Sequence, residues 1–326
     1  MRMHKRCIGL ALSLALVSVS SLADTKDTYP DRPIRWIVPY TPGGFTDTGT
    51  RLVTSRLSKV LGQPIFVENK PGANAMIGAE IVVKAAPDGY TLLSVLPQHA
   101  ANITLQADRV AELGLKNLIP ITVAAYSPLI LTVSNAFAPN TVAELIAYAK
   151  ANPGKLAFGS SGVGATAHLT TELLIQTTDI KMLHVPYKGT APALVDLIPG
   201  NIQILVDAPS SMMTHVQTGK VKALGMFSAK RLDGAPLVPT IVESGGPPIE
   251  AASWVMFMAP PGTPDKIVNR IYEGVREVLS DPELLRQYKE LLIIPKGGTP
   301  AETALFLNEE VSKWGQVITK GNIKVD

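Results

Sequence analysis

From residue 24 onward, short runs of apolar residues alternate with segments in which apolar positions return every three or four residues. Ile34 to Val38, Ile65 to Val67, Thr91 to Val95, Ile119 to Ala125 and Leu129 to Val133 have the length and β-branched content of strands. Val53, Leu57 and Val60 share one face of a helix, and Gly78 to Lys84 and Thr141 to Asn152 also predict helices. The alternation resumes with strands at Leu156 to Phe158, Met182 to Val185 and Ile202 to Val206 and a helix from about Thr166. Ile267, Ile271, Val275 and Val278 mark a further helix, and Leu307, Val311, Trp314 and Ile318 mark the last, with a buried stripe that includes Trp314. This order predicts an α/β fold with mostly parallel sheets.

The pattern breaks at the N-terminus. Arg2, Lys5 and Arg6 precede a short apolar run, Ile8 to Val19, and Ser21-Leu22-Ala23 supplies small residues before Asp24, which reads as a signal peptide over 1–23. The run is too short for a spanning helix, which needs ~20 residues. An exported, soluble mature chain follows.

Composition sharpens this picture. The 326 residues, 46% hydrophobic with one cysteine, exclude a disordered chain, a disulfide-stapled mini-protein and a Cys-rich zinc module. Removal of the signal takes Cys7 and three basic residues but no acid, leaving 27 basic against 27 acidic residues. A neutral chain without a basic stripe does not predict nucleic acid or anionic lipid as a partner. The length favours two lobes. With no single linker between them, the chain is expected to cross more than once, along Pro120 to Pro128 and Ala252 to Pro261.

Most catalytic signatures fail. Gly162-Val163-Gly164 lacks the third glycine of a dinucleotide fingerprint, neither Ser160 nor Ser161 sits in G-x-S-x-G, and no Walker A or H-E-x-x-H sequence occurs. His99, His168, His184 and His215 have no metal-ligand spacing, so neither metal nor cofactor is expected. His168 lies eight residues after Ser160, which leaves an activated serine open.

Two Gly-rich turns remain, each joining a strand to a helix: Pro39 to Gly44 and Gly159 to Gly164. A helix N-terminus carries unpaired N–H groups and a partial charge of roughly +0.5, and glycine lets an anion approach. Neither turn contains Lys or Arg, so a bound carboxylate would rest on backbone N–H groups, the hydroxyls of Thr46, Ser160, Ser161 and Thr166, and His168. Asp47 is expected to cap its helix and position the loop. Phe45 is placed either to cover the ligand or to pack under the loop, and Gln98 either to reach the ligand or to be an ordinary loop amide.

Tyr29 to Arg35 with Ile37-Val38-Pro39, then Pro42-Gly43-Gly44 with Asp47 and Arg51, closely resembles the start of the Bug-type receptors of tripartite tricarboxylate transporters. The resemblance continues through Leu61 to Pro64, Val67 to Ala73, Ala86 to Leu93, Glu144 to Leu156, His184 to Gly189, Gly219 to Leu224, Pro239-Thr240 with Glu243, and Ala259 to Pro264. Residues 107–118 depart from the acidic, aromatic-containing segment of many relatives.

The resemblance implies a two-lobed Venus-flytrap periplasmic binding protein, type II-like, with crossing hinge strands. Lobe 1 would comprise 24–124 and 252–326, and lobe 2 would comprise 125–251. It further implies a monomeric, non-enzymatic periplasmic receptor that holds a small carboxylate or dicarboxylate, aromatic acids included, and delivers it to one large and one small permease subunit. Carried over by motif, the ligand-binding residues are Pro42, Gly43, Gly44, Phe45, Thr46 and Asp47 from one lobe. Ser160, Ser161, Gly164, Thr166, His168 and Asp207 come from the other, and Gln98 is added by position. A secreted Ser/His hydrolase and a carboxylate sensor domain are the alternatives.

Overall fold

In a computed structural model, residues 29–325 are described; the signal-peptide segment lies outside them. The first half of the chain runs β1 (Ile34–Val38), α1 (Phe45–Leu61), β2 (Ile65–Asn69), α2 (Met76–Val83), β3 (Thr91–Val95), α3 (Pro97–Leu105), α4 (Ala107–Leu113) and β4 (Ile119–Pro128). It continues with β5 (Ile130–Ser134), α5 (Val142–Ala151), β6 (Leu156–Ser160), α6 (Thr166–Thr178), β7 (Met182–Pro186), α7 (Thr190–Leu197), β8 (Ile204–Asp207), α8 (Pro209–Gln217) and β9 (Val221–Met226). It ends with β10 (Ala252–Ala259), α9 (Asp265–Val278), α10 (Pro282–Glu290) and α11 (Pro300–Lys320).

These elements make two lobes, each with a five-stranded sheet. The orders are β2-β1-β3-β10-β4 and β7-β6-β8-β5-β9. The expectation of mostly parallel sheets needs correction. β1 pairs in parallel with β2 and β3, but β10 is antiparallel to both β3 and β4. Likewise β6 is parallel to β7 and β8, whereas β5 is antiparallel to β8 and β9. The strands that enter after a crossing, β5 and β10, approach from the opposite lobe and therefore run against their neighbours. The two sheets share one ordering although the sequence shows no repeat.

β10 is buried at all eight positions, which explains its nearly continuous apolar sequence, interrupted only by Ser253. Its Phe257 meets Trp36 of β1 edge to face at 4.5 Å. The Trp36 indole N–H and the Thr50 hydroxyl both reach Ser94 Oγ, at 2.9 and 2.8 Å, so this core carries its polar atoms paired. Val53, Leu57 and Leu61 lay α1 on the sheet, and each fully buried side chain of this size contributes about 1.5–3 kcal/mol.

α11 begins with a capping box between Thr299 and Glu302. It packs against α3 of one lobe and α6 of the other. Trp314 is buried, as its helical stripe predicts, and its indole N–H donates to Glu310 Oε2, which also accepts from Trp254 of β10.

Candidate ligand cleft

The parallel strands of each sheet end toward the opposite lobe, and each is followed by a helix. Residues from all six strand–helix junctions line one cleft of about 450 Å³, within the ~300–1,000 Å³ of small-molecule sites. Thr41, Gly44 and Phe45 come from the start of α1, Asn74 from that of α2, and Leu96 and Gln98 from that of α3. Across the gap stand Ser161 and Thr166 before and on α6, Thr190 on α7, and Asp207 and Ser211 around the start of α8. Leu129 and Ser253, on the two crossings, close its back.

The first turn is held by Asp47. Its Oδ2 accepts from the Gly43 N–H at 2.9 Å, and its Oδ1 accepts from Arg51 Nε and Asn69 Nδ2, both at 2.9 Å. Asn69 also donates to the Tyr40 carbonyl at 3.0 Å. Burial pushes the Asp47 carboxyl up, but the bonds from Arg51, Gly43 and Asn69 outweigh it and hold the carboxyl below its ordinary range. Asp47 therefore accepts backward from the Gly43 N–H and forward only from the Arg51 side chain, caps no backbone N–H of α1, and does not line the cleft. Gly43 needs its lack of a side chain here, with φ at 80°.

The second turn is shaped from beneath. Ser160 is fully buried and its Oγ lies 2.7 Å from His184 Nε2, 3.0 Å from the Gly162 carbonyl and 3.2 Å from the Gly162 nitrogen, whose N–H it accepts. The Gly164 N–H donates to His168 Nδ1 at 3.1 Å, and the His168 ring stacks on His184 with centroids 3.8 Å apart. Phe158 lies close to parallel to both rings, 4.8 Å from His184 and 6.1 Å from His168. Burial, assisted by His168, pushes the His184 imidazole down to about 4.

This geometry redirects several expectations. Gly44, Phe45, Gln98, Ser161, Thr166 and Asp207 line the cleft; Pro42, Gly43, Thr46, Asp47, Ser160, Gly164 and His168 do not. Thr46 and His168 are buried, and Pro42 and Gly43 are exposed on the turn. The Ser160–His168 pair does not form, because Ser160 bonds His184 behind the turn and has no access to the cleft. Phe45 lines the cleft and also packs on the core of its lobe. Gln98 is on a helix, since Pro97 occupies the first helical position, where its missing N–H costs nothing.

Sequence reasoning missed Thr41, Asn74, Thr190, Ser211 and Ser253. Thr190 and Ser211 follow the helix-starting signals Gly189 and Pro209, which were legible; Asn74 and Ser253 carried no signal of their own.

No Lys, Arg or His lines the cleft among the described residues, and Asp207 is its one carboxylate. Asp207 Oδ2 accepts from the Thr190 hydroxyl at 2.5 Å and Oδ1 from the Ala208 N–H at 2.6 Å. Burial nonetheless pushes this carboxyl above its ordinary range. The side chains of Thr41, Asn74, Gln98, Ser161, Thr166 and Ser211 make no hydrogen bond to any described residue. Unpaired hydroxyls and amides at five of the six helix starts form a donor-rich site without a basic side chain.

The model of the TctC family, the tripartite tricarboxylate transporter family receptor, matches residues 50–323. The chain belongs to this family. Protein BugT of Bordetella pertussis is 33% identical to it, over 98% of this chain and 97% of that protein. A Rhodopseudomonas palustris protein solved with adipate is 32% identical with a TM-score of 0.78, covering 91% of this chain and 99% of its own. MatC from the same organism, solved with bound malate, is 30% identical with a TM-score of 0.75, covering 89% and 100%. As a TctC receptor the chain has the two-lobed α/β fold of periplasmic binding proteins. Among its described residues no helix is long and apolar enough to cross a membrane.

Proposed function

We propose that this TctC-family chain is a monomeric periplasmic receptor that captures a small organic carboxylate between its lobes and delivers it to the membrane subunits of a tripartite transporter. The observation that carries this reading is the meeting of helix N-termini from both lobes at one cleft lined by unpaired donors. Each terminus favours an anion by about 0.3–1 kcal/mol at an exposed site and by more when partly buried. Such a site attracts a carboxylate without the grip of a basic side chain and so permits release. The adipate- and malate-bound relatives support the same class of ligand.

The α1 turn, with Gly44 and Phe45, and the α6 turn, with Ser161 and Thr166, hold one carboxylate in this reading. Pro42, Gly43, Thr46, Asp47, Ser160, Gly164 and His168 shape those turns from outside the cleft. Lobe 1 is assigned 24–124 and 252–326, and lobe 2 is assigned 125–251, which puts the hinge within β4 and just before β10. Ligand favours the closed form because only closure lets both turns reach it.

A screen of short-chain mono- and dicarboxylates, with and without hydroxyl, amino or aromatic substituents, tests this by melting shift and calorimetry. A true ligand at a hundred times its Kd adds about 2.7 kcal/mol of stability and is recovered unchanged. If no acid binds while an ester is turned over, the reading is overturned in favour of a hydrolase. Loss of uptake of that acid on deletion of the gene separates a transport receptor from a sensor.

A further inference from the structure

The segment before α2 has four successive residues with positive φ: Gly72 at 129°, Ala73 at 47°, Asn74 at 54° and Ala75 at 72°. Only the first is glycine. Left-handed backbone costs an ordinary L-residue about 1–2 kcal/mol, and a run of three side-chain-bearing residues persists only where its surroundings enforce it. Those surroundings are visible. The Met76 N–H closes back on the Ala73 carbonyl at 3.1 Å, and the buried Met76 side chain anchors the turn in the core. Asn102, buried on α3, donates its Nδ2 to the Asn74 carbonyl at 2.8 Å. The Asn102 Oδ1 has no partner, so this anchor is itself bought at the expense of an unsatisfied acceptor.

The turn delivers one thing to the site. Asn74 lines the cleft from the α2 junction, and its own amide bonds no described residue. A glycine at 74 would relieve the backbone but remove that amide. An asparagine side chain offers two N–H donors and one acceptor, a combination suited to an oxygen substituent.

We propose that Asn74 is a specificity-determining residue: the strained turn presents its amide to a second oxygen group of the ligand, a carboxylate or hydroxyl beyond the carboxylate held by the α1 and α6 turns. This rests on the receptor reading above and narrows its ligand to dicarboxylates and hydroxy acids.

The test compares acids that differ by one polar group: succinate with butyrate, adipate with hexanoate, and malate with succinate. The wild-type chain should bind each dicarboxylate more tightly than its monocarboxylate by about tenfold or more, as a hydrogen bond to a charged group implies, and malate more tightly than succinate by about threefold to tenfold, as one to a neutral hydroxyl implies. Asn74→Gly should collapse that preference to within about twofold while raising the melting temperature of the ligand-free protein. Ala75→Gly, outside the cleft lining, should raise the melting temperature and leave the preference intact. Binding by the wild type with the same preference in Asn74→Gly overturns the assignment of Asn74 alone. Failure of the wild type to bind any carboxylate of the full screen overturns the receptor reading, and this proposal with it.

Discussion

His168 lies flat on His184, the rings 8° from parallel, and both imidazoles sit behind the α6 turn instead of in the cleft that the turn helps to line. His168 Nδ1 must be unprotonated to accept from Gly164, and Ser160 shares its hydroxyl between His184 and the Gly162 carbonyl. The pair braces the turn from outside the cleft.

Replacing His168 should therefore act through Gly164. His168→Leu leaves a buried N–H unpaired, a cost of about 1–3 kcal/mol, and should weaken every acid that binds. His168→Asn keeps an acceptor near the Nδ1 position and should restore much of the affinity. Calorimetry on both variants checks this; equal losses would show that ring packing alone matters.

Asp47 braces the other turn and predicts a pH dependence of the usual acidic kind. Its folded-state carboxyl is held below its ordinary range, so the stability it contributes is present above the unfolded pKa and is lost as pH falls through the folded one. Asp47→Ala removes the hydrogen bonds that Gly43, Arg51 and Asn69 make to a buried carboxylate and should cost about 1.5–3 kcal/mol at neutral pH. Melting curves at pH 7 and near pH 2 should show the gap between variant and wild type narrowing on acidification.

Asp207 predicts the opposite sign. Its folded-state carboxyl is pushed up by burial, so its favourable contribution is complete below the unfolded pKa and is lost as pH rises through the folded one. Asp207→Asn, which keeps the shape without the charge, should melt higher than wild type at neutral pH, and the gap should close in acid. Parallel melting profiles across that range would rule out a costly buried charge.

Gly164 tests closure. Its φ is 77°, and an added Cβ would lie 2.5 Å from Leu105 Cδ1 at the end of α3, in the opposite lobe. Gly164→Ala should bias the protein toward an open form and lower affinity by about tenfold, equivalent to ~1.4 kcal/mol. Adding Leu105→Ala should recover part of that loss. Small-angle scattering of the ligand-free single variant checks the shift in opening, and an unchanged profile would count against it.

Much of this fold was legible because short buried strands announce themselves as apolar runs. The bounds of Ile34–Val38 and Thr91–Val95 agree with the sequence reading to the residue. Strand direction was not legible, since nothing within Ala252–Ala259 records from which lobe it arrives. The helices at Pro97 and Pro209 were hidden because proline reads as a break until its place at a helix start is seen. In the site, the glycines marked both turns at the cleft, but whether a polar residue faces inward or outward depends on tertiary packing. Ser161 and Ser160 are adjacent, yet one lines the cleft and the other is buried against His184.

The position of β10 between β3 and β4 predicts an order of assembly. β5 to β9 are contiguous in sequence, so the lobe 2 sheet can form from its own stretch of chain. The first sheet cannot close until a strand more than a hundred residues downstream of β4 arrives, and closing so long a loop slows folding. Pulse-labelled hydrogen exchange during refolding should protect β6 and β8 before β3 and β10, so that the ligand cleft is completed by the last strand to dock.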